Sequence, residues 1–186
     1  MFKLIIGLGN PGEEYQDTYH NVGHAAVDYL SKELKSARFK TLPSKKSTYS
    51  KASNLIFVKT ATFMNQSGPA VKETLKIFKV SLPEVLVIHD DSDLAIGSSK
   101  LSHHRGAAGH KGVQSIFDSL KTKEVWRLRI GIRPPEPKST LSLSASSLSR
   151  IKAGKFVLSK IKADDKKRIY SLFPGMIAKL IEKEKP

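Results

Sequence analysis

Lys3-Leu4-Ile5-Ile6-Gly7-Leu8-Gly9-Asn10-Pro11-Gly12 stands almost at the start of the chain, and its reading decides the fold. Lys3 to Leu8 is predicted as a short strand, apolar on both faces and ended by glycine, the pattern of a strand buried inside a sheet. The letters that follow match the GxGxxG dinucleotide pattern, but the chemistry does not. Pro11 removes a backbone donor, and Glu13 and Glu14 put negative charge where a pyrophosphate would sit. About twenty residues on, where an acid at a strand end would bind ribose, Asp28 falls within a helical pattern instead. Two readings of the turn stand. It is a glycine-permitted end to a strand, or it presents Asn10, an uncharged donor and acceptor, at the carboxyl end of a strand, where open α/β sheets hold their ligands.

Outward from this strand, helical and extended patterns alternate. Asn21 to about Lys35 has apolar residues at helical spacing (Val22, Ala25, Ala26, Tyr29, Leu30), with Asn21 or His20 at its start. Residues 35–51 carry six basic side chains and no acid, and read as a loop passing into an edge strand. Leu55 to Lys59 is a second strand and Ser67 to Lys79 a helix. Val85 to Ile88 is a strongly apolar strand that runs into His89-Asp90-Asp91. A short strand over Ser98 to Leu101, a helix from His110 or Lys111 to Leu120, and a strand over Trp126 to Ile132 follow, stopped by Pro134-Pro135-Glu136-Pro137. Residues 139–149, with six Ser and one Thr, read as a loop, and about Ile161 to Lys183 as a basic helical tail. Strands alternating with helices predict one α/β domain over residues 1–186, with a twisted, mostly parallel or mixed sheet between helices.

Composition sets limits on function. The chain has 186 residues, no cysteine, 32 Lys+Arg and 17 Asp+Glu, hence a net charge of +15. A disulfide framework, a thiolate metal site and a cysteine nucleophile are excluded together. No apolar run is long enough to span a membrane, and Met1 lies too close to the first strand for a presequence, so a cytoplasmic location or an organelle matrix is expected. Such a positive excess suits a polyanionic partner or simply a solvated surface. It is regional: residues 1–34 hold two basic and five acidic side chains, and residues 35–186 thirty and twelve.

Further clusters carry possible chemistry. His20 lies in Thr18-Tyr19-His20-Asn21-Val22-Gly23 and reads by itself as a cap or a surface residue. His89-Asp90-Asp91-Ser92-Asp93 sits at the end of the most apolar strand, where polar groups are costly unless something is bound. It could be a carboxylate cluster for a hard cation, or it could hold one Asp that orients a distant His. Asn65 and Ser67, within Phe63-Met64-Asn65-Gln66-Ser67-Gly68, are explained locally as helix caps. His103 to Gly112 is small, flexible and basic, suited to closing over a ligand or cradling phosphate. Its three histidines lack an interleaved acidic ligand for a metal.

Taken in order, these motifs together with Tyr15, Gly109-His110-Lys111-Gly112 and Arg127-Leu128-Arg129-Ile130-Gly131-Ile132 resemble the bacterial-type peptidyl-tRNA hydrolases, in register over roughly residues 3–133. The resemblance implies a single α/β domain and hydrolysis of the ester joining a peptide to tRNA. By match to the family's motifs, His20 would be the general base and Asp90 the residue that orients it. Asn10 and Asn65 would hold the substrate's carbonyl and peptide groups, with Tyr15 and Phe63 lining the same crevice. The scheme calls for no metal or other cofactor. The chain departs from the family in two places, with Tyr19 where Arg is common and Lys111 where Asn is common. Lys111 cannot accept a hydrogen bond but could attract a phosphate or the ester carbonyl. Peptidyl-tRNA is thus the expected partner, met through basic surface, by a monomer and without a membrane. A non-enzymatic RNA-binding relative of the same fold is the alternative, and a metal-dependent hydrolase using Asp90, Asp91 and Asp93 a further rival.

Overall fold

A computed structural model describes residues 1–134, 154 and 156–181. The expected Ser-rich loop at 139–149, the stop at Pro135 to Pro137 and the end of the basic tail at 182–183 lie outside these residues. The strands are β1 (Leu4–Gly7), β2 (Lys40–Thr41), β3 (Ser47–Ala52), β4 (Leu55–Thr60), β5 (Val85–Ala95), β6 (Ser99–Ser102) and β7 (Trp126–Arg133). They form one mixed sheet in the order β2-β3-β4-β1-β5-β7-β6. β4, β1, β5 and β7 are mutually parallel, while β2, β3 and β6 pair antiparallel toward the edges.

β1 lies in the middle because both of its faces are apolar. Ile5 joins one core with Leu86, Ile88, Leu128 and Ile130, under helix α1 (Val22–Glu33) and the C-terminal helix α5 (Phe173–Ile181). Leu4 and Ile6 join the other with Val85, Val87, Val71, Val113 and Ile116, under α2 (Ser67–Phe78) and α3 (Lys111–Leu120). The result is a three-layer α/β sandwich. The chain leaves β1 for β4 on one side and returns to β5 on the other, so the C-terminal ends of β1, β4 and β5 frame a topological switch point, the usual place for a ligand crevice.

Two expectations are corrected. The polar run His89 to Asp93 does not follow a strand: β5 continues through it to Ala95, because residues up to Asp91 keep pairing with β7 before the register shifts. The single tail helix is two among the described residues, α4 (Ala163–Tyr170) and α5, broken at Ser171 and Leu172.

Glycines set how closely the layers meet. A Cβ on Gly7 would strike the carbonyl oxygen of Gly23, and one on Gly23 would strike the backbone of Leu8 and Ile88. Their absence lets the first turn of α1 press on the carboxyl ends of β1 and β5. That contact brings the residues just before α1 to the end of β5.

Candidate active site

His20 sits on a 3₁₀ turn, Tyr19–Asn21, immediately ahead of α1. Its Nδ1 lies 2.8 Å from Asp90 Oδ1. Asp90 can reach it because side chains alternate along β5: Ile88 and Asp90 face α1, whereas His89 and Asp91 face the opposite layer. A carboxylate beside Nδ1 fixes that nitrogen as the donor, which leaves Nε2 as the basic nitrogen. Among the described residues Nε2 has no protein partner.

Asp90 is 2% exposed. Burial alone would raise its pKa, but His20 and His110 overcome this and hold the carboxyl well below the ordinary carboxylate range. Sequence alone gives the second imidazole no role in the site. His110 Nε2 lies 2.9 Å from the same oxygen, Asp90 Oδ1. His110 caps α3, with Nδ1 accepting from the backbone N–H groups of Gly112 and Val113 at 3.1 and 3.2 Å. Its ring lies 5.0 Å from that of His20 and 4.7 Å from that of His89. His89 is pushed well below the usual imidazole range, first by burial and then by the neighbouring His110.

Asn10 is held on three sides. Its N–H donates to Asn21 Oδ1 at 2.8 Å, its carbonyl accepts from Asn21 Nδ2 at 2.9 Å, and its side-chain Oδ1 accepts from the N–H of Met64 at 2.7 Å. The last bond settles the amide orientation, so Nδ2 is a fixed donor with no protein partner among the described residues. The reciprocal pair with Asn21 also explains why Asn21, at the N-cap of α1, makes no side-chain cap bond.

The cap reading of Asn65 does not hold. Its side chain is exposed and makes no cap bond, since α2 is entered through a 3₁₀ turn, Met64–Gln66, in which Ser67 Oγ donates to the Met64 carbonyl. Asn65 instead lines a cleft of about 400 Å³ with Lys111, Gln114, Ser115 and Asp118. Nearby, Gly68 packs directly on the Ser115 carbonyl, which holds α2 close to α3. Tyr15 and Phe63 meet edge to face at 6.2 Å, with Phe63 52% exposed.

The three-carboxylate cluster is not assembled. Asp91 accepts Arg129 Nε at 2.6 Å and the Asp93 N–H at 2.8 Å on the face of β5 away from Asp90. The three potential ligand atoms that do come together, on His20, Asp90 and His110, lie within 4.8 Å of one another. The separations of each ring nitrogen from Asp90 are hydrogen-bond lengths, shorter than the roughly 3.3 Å ligand edges of a tetrahedral zinc site.

The C-terminal segment supports the His20 turn. The N–H of His20 donates to the Val157 carbonyl at 2.8 Å and that of Tyr19 to the Ser159 carbonyl at 3.2 Å. Tyr19 packs against Phe156 with the two rings tilted by 30° and donates to Asp165 at 2.5 Å. Burial, then the Asp165 bond, pushes its hydroxyl up to about 12. No helix among the described residues is long and apolar enough to cross a membrane.

The family model described as "Peptidyl-tRNA hydrolase" matches residues 4–183. A protein from Sulfurihydrogenibium sp. named peptidyl-tRNA hydrolase is 40% identical over 164 residues, 88% of this chain and 86% of that protein. One of the same name from Mycoplasma capricolum is 42% identical over 135 residues, 72% of this chain and 73% of the relative. The crystal structure of peptidyl-tRNA hydrolase from Acinetobacter baumannii superposes with a TM-score of 0.82 at 26% identity, covering 97% of this chain and 87% of that one. The order of motifs, the three-layer fold and these matches agree, and the chain belongs to the peptidyl-tRNA hydrolase family.

Proposed function

We propose that this protein hydrolyses the ester between peptide and tRNA in peptidyl-tRNA, freeing tRNA from peptides released before synthesis is complete. His20 Nε2 takes a proton from water as the water attacks the ester carbonyl, Asp90 holds the ring and stabilises the imidazolium that forms, and the imidazolium gives the proton to the departing ribose oxygen as the ester C–O bond breaks. Asn10 Nδ2 donates to the oxygen on which charge develops, an uncharged stabilisation suited to a site whose substrate is already polyanionic. An ester needs less activation than an amide, so no covalent nucleophile enters the scheme. Asn65 and Lys111 flank the adjoining cleft, where they contact the substrate on either side, and Tyr15 and Phe63 border the crevice. The observation that carries this reading is the 2.8 Å bond from His20 Nδ1 to Asp90.

The tRNA is met by exposed basic side chains, among them Arg38, Lys45, Lys46, Arg105, Lys160 and Lys167. Phosphate contacts of this kind position a nucleic acid without reading its sequence. The protein acts as a monomer, in the cytoplasm or an organelle matrix, wherever translation supplies its substrate.

The test is release of peptide from N-blocked and unblocked aminoacyl-tRNA by the purified protein, with tRNA binding measured alongside and Lys111→Asn in parallel. Turnover of the blocked substrate is expected. Binding without turnover would instead establish an RNA-binding protein of the same fold.

A further inference from the structure

We propose that His110 is a positioning residue for the reaction, one that anchors Asp90 and through it the base. The inference rests on the reading of His20 as base and adds a residue to it. Both ring nitrogens of His110 are already used. Nδ1 accepts the Gly112 and Val113 N–H groups, so the ring proton is on Nε2, which donates to Asp90 Oδ1. No lone pair remains for a substrate proton, which separates its role from that of His20. The ring is wedged between those of His20 and His89 and its side chain is 8% exposed, so the donor is fixed in place.

The need for such a donor follows from Asp90. The terminal torsion of an aspartate is soft. Here, though, one oxygen alone must receive His20 Nδ1–H at the right angle. A second donor on that oxygen removes the freedom. Its own position is set by the first turn of α3, so the chain of contacts runs from a helix N-terminus through His110 and Asp90 to His20. Lys111 and Gly112 of the same turn carry the cleft side chain and the helix contact with Met64, so one turn fixes both the base and part of the cleft.

His110 has two jobs that substitution can separate. His110→Asn keeps a side-chain oxygen that can cap Gly112 and Val113 but is too short to reach Asp90. His110→Gln loses the cap geometry but can carry an N–H to about the position of Nε2. For both variants, and for the parent and His20→Ala, kcat and KM on an N-blocked aminoacyl-tRNA and the melting temperature are measured. The expected result is a kcat about 10- to 100-fold lower in His110→Asn with KM within about threefold of the parent, and at least a threefold higher kcat in His110→Gln than in His110→Asn despite a lower melting temperature. A kcat for His110→Asn within twofold of the parent, or a His110→Gln no faster than His110→Asn, reduces His110 to a helix cap and overturns the proposal. An inert parent, or a His20→Ala as active as the parent, would overturn the reading of His20 instead.

Discussion

Replacing Asp90 by Asn tests the electrostatics of the site with little change in shape. Both imidazoles bond to the same oxygen, Oδ1. An asparagine that keeps its carbonyl oxygen there still accepts both N–H groups, so tautomers and ring positions persist and only the negative charge is lost. With imidazolium and carboxylate centres about 4 Å apart and an effective dielectric of about 20, the lost attraction in the transition state is about 4 kcal/mol. At about 1.4 kcal/mol per decade, kcat falls about 10³-fold. KM should stay within a few fold, because Asp90 is buried behind His20 and the free substrate meets neither of its oxygens. The assay is steady-state hydrolysis of an N-blocked aminoacyl-tRNA, with a thermal melt to show that the variant is folded. A folded Asp90→Asn enzyme that retains more than a tenth of the parent kcat would refute the view that this carboxylate stabilises a charged His20.

Three further outcomes follow from the geometry. Asn10→Asp keeps the acceptor for the Met64 N–H but replaces the free Nδ2 donor with a carboxylate oxygen, so kcat should drop at least about 10²-fold while the melting temperature changes little. His24 is held down to about 3, first by burial and then by Lys59, so it is neutral in the fold and protonates near 6.5 once unfolded. Its contribution to stability is complete above pH 6.5 and is lost as pH falls from there toward 3. Urea unfolding at stepped pH should therefore show a shallower fall in that window for His24→Gln, by up to about 1.4 kcal/mol per pH unit. Gly68→Ala should destabilise by about 1–3 kcal/mol in the same measurement, because the new methyl meets the Ser115 carbonyl where α2 crosses α3.

What could be read from the sequence was what depends on near neighbours. The two-faced apolar run at Leu4 to Ile6 predicts a central strand, and the alternation at Leu128, Ile130 and Ile132 predicts a strand with one apolar face; both are found. The His20–Asp90 pair spans 70 residues and is legible through the family's motifs rather than through spacing. His110 is less legible. A histidine just before a helical pattern reads as an N-terminal boundary, and its bond to Asp90 depends on how α3 docks against β5. Asn21 reads in the sequence as a helix start, yet its side chain is committed to Asn10, eleven residues earlier. Asn65 misled in the same way: Ser, Asn and Asp favour caps in general, but the preceding 3₁₀ turn makes a cap unnecessary here. The bond from Tyr19 to Asp165 joins residues 146 apart and leaves no local trace in the sequence.

The central claim is that His20 Nε2 removes the proton from the attacking water. Single-turnover release of peptide from an N-blocked aminoacyl-tRNA by saturating parent and His20→Ala enzyme tests it most directly, since substrate binding then drops out of the rate. The account predicts a rate about 10²- to 10⁴-fold lower for His20→Ala with tRNA affinity unchanged. Equal rates for the two enzymes would contradict it.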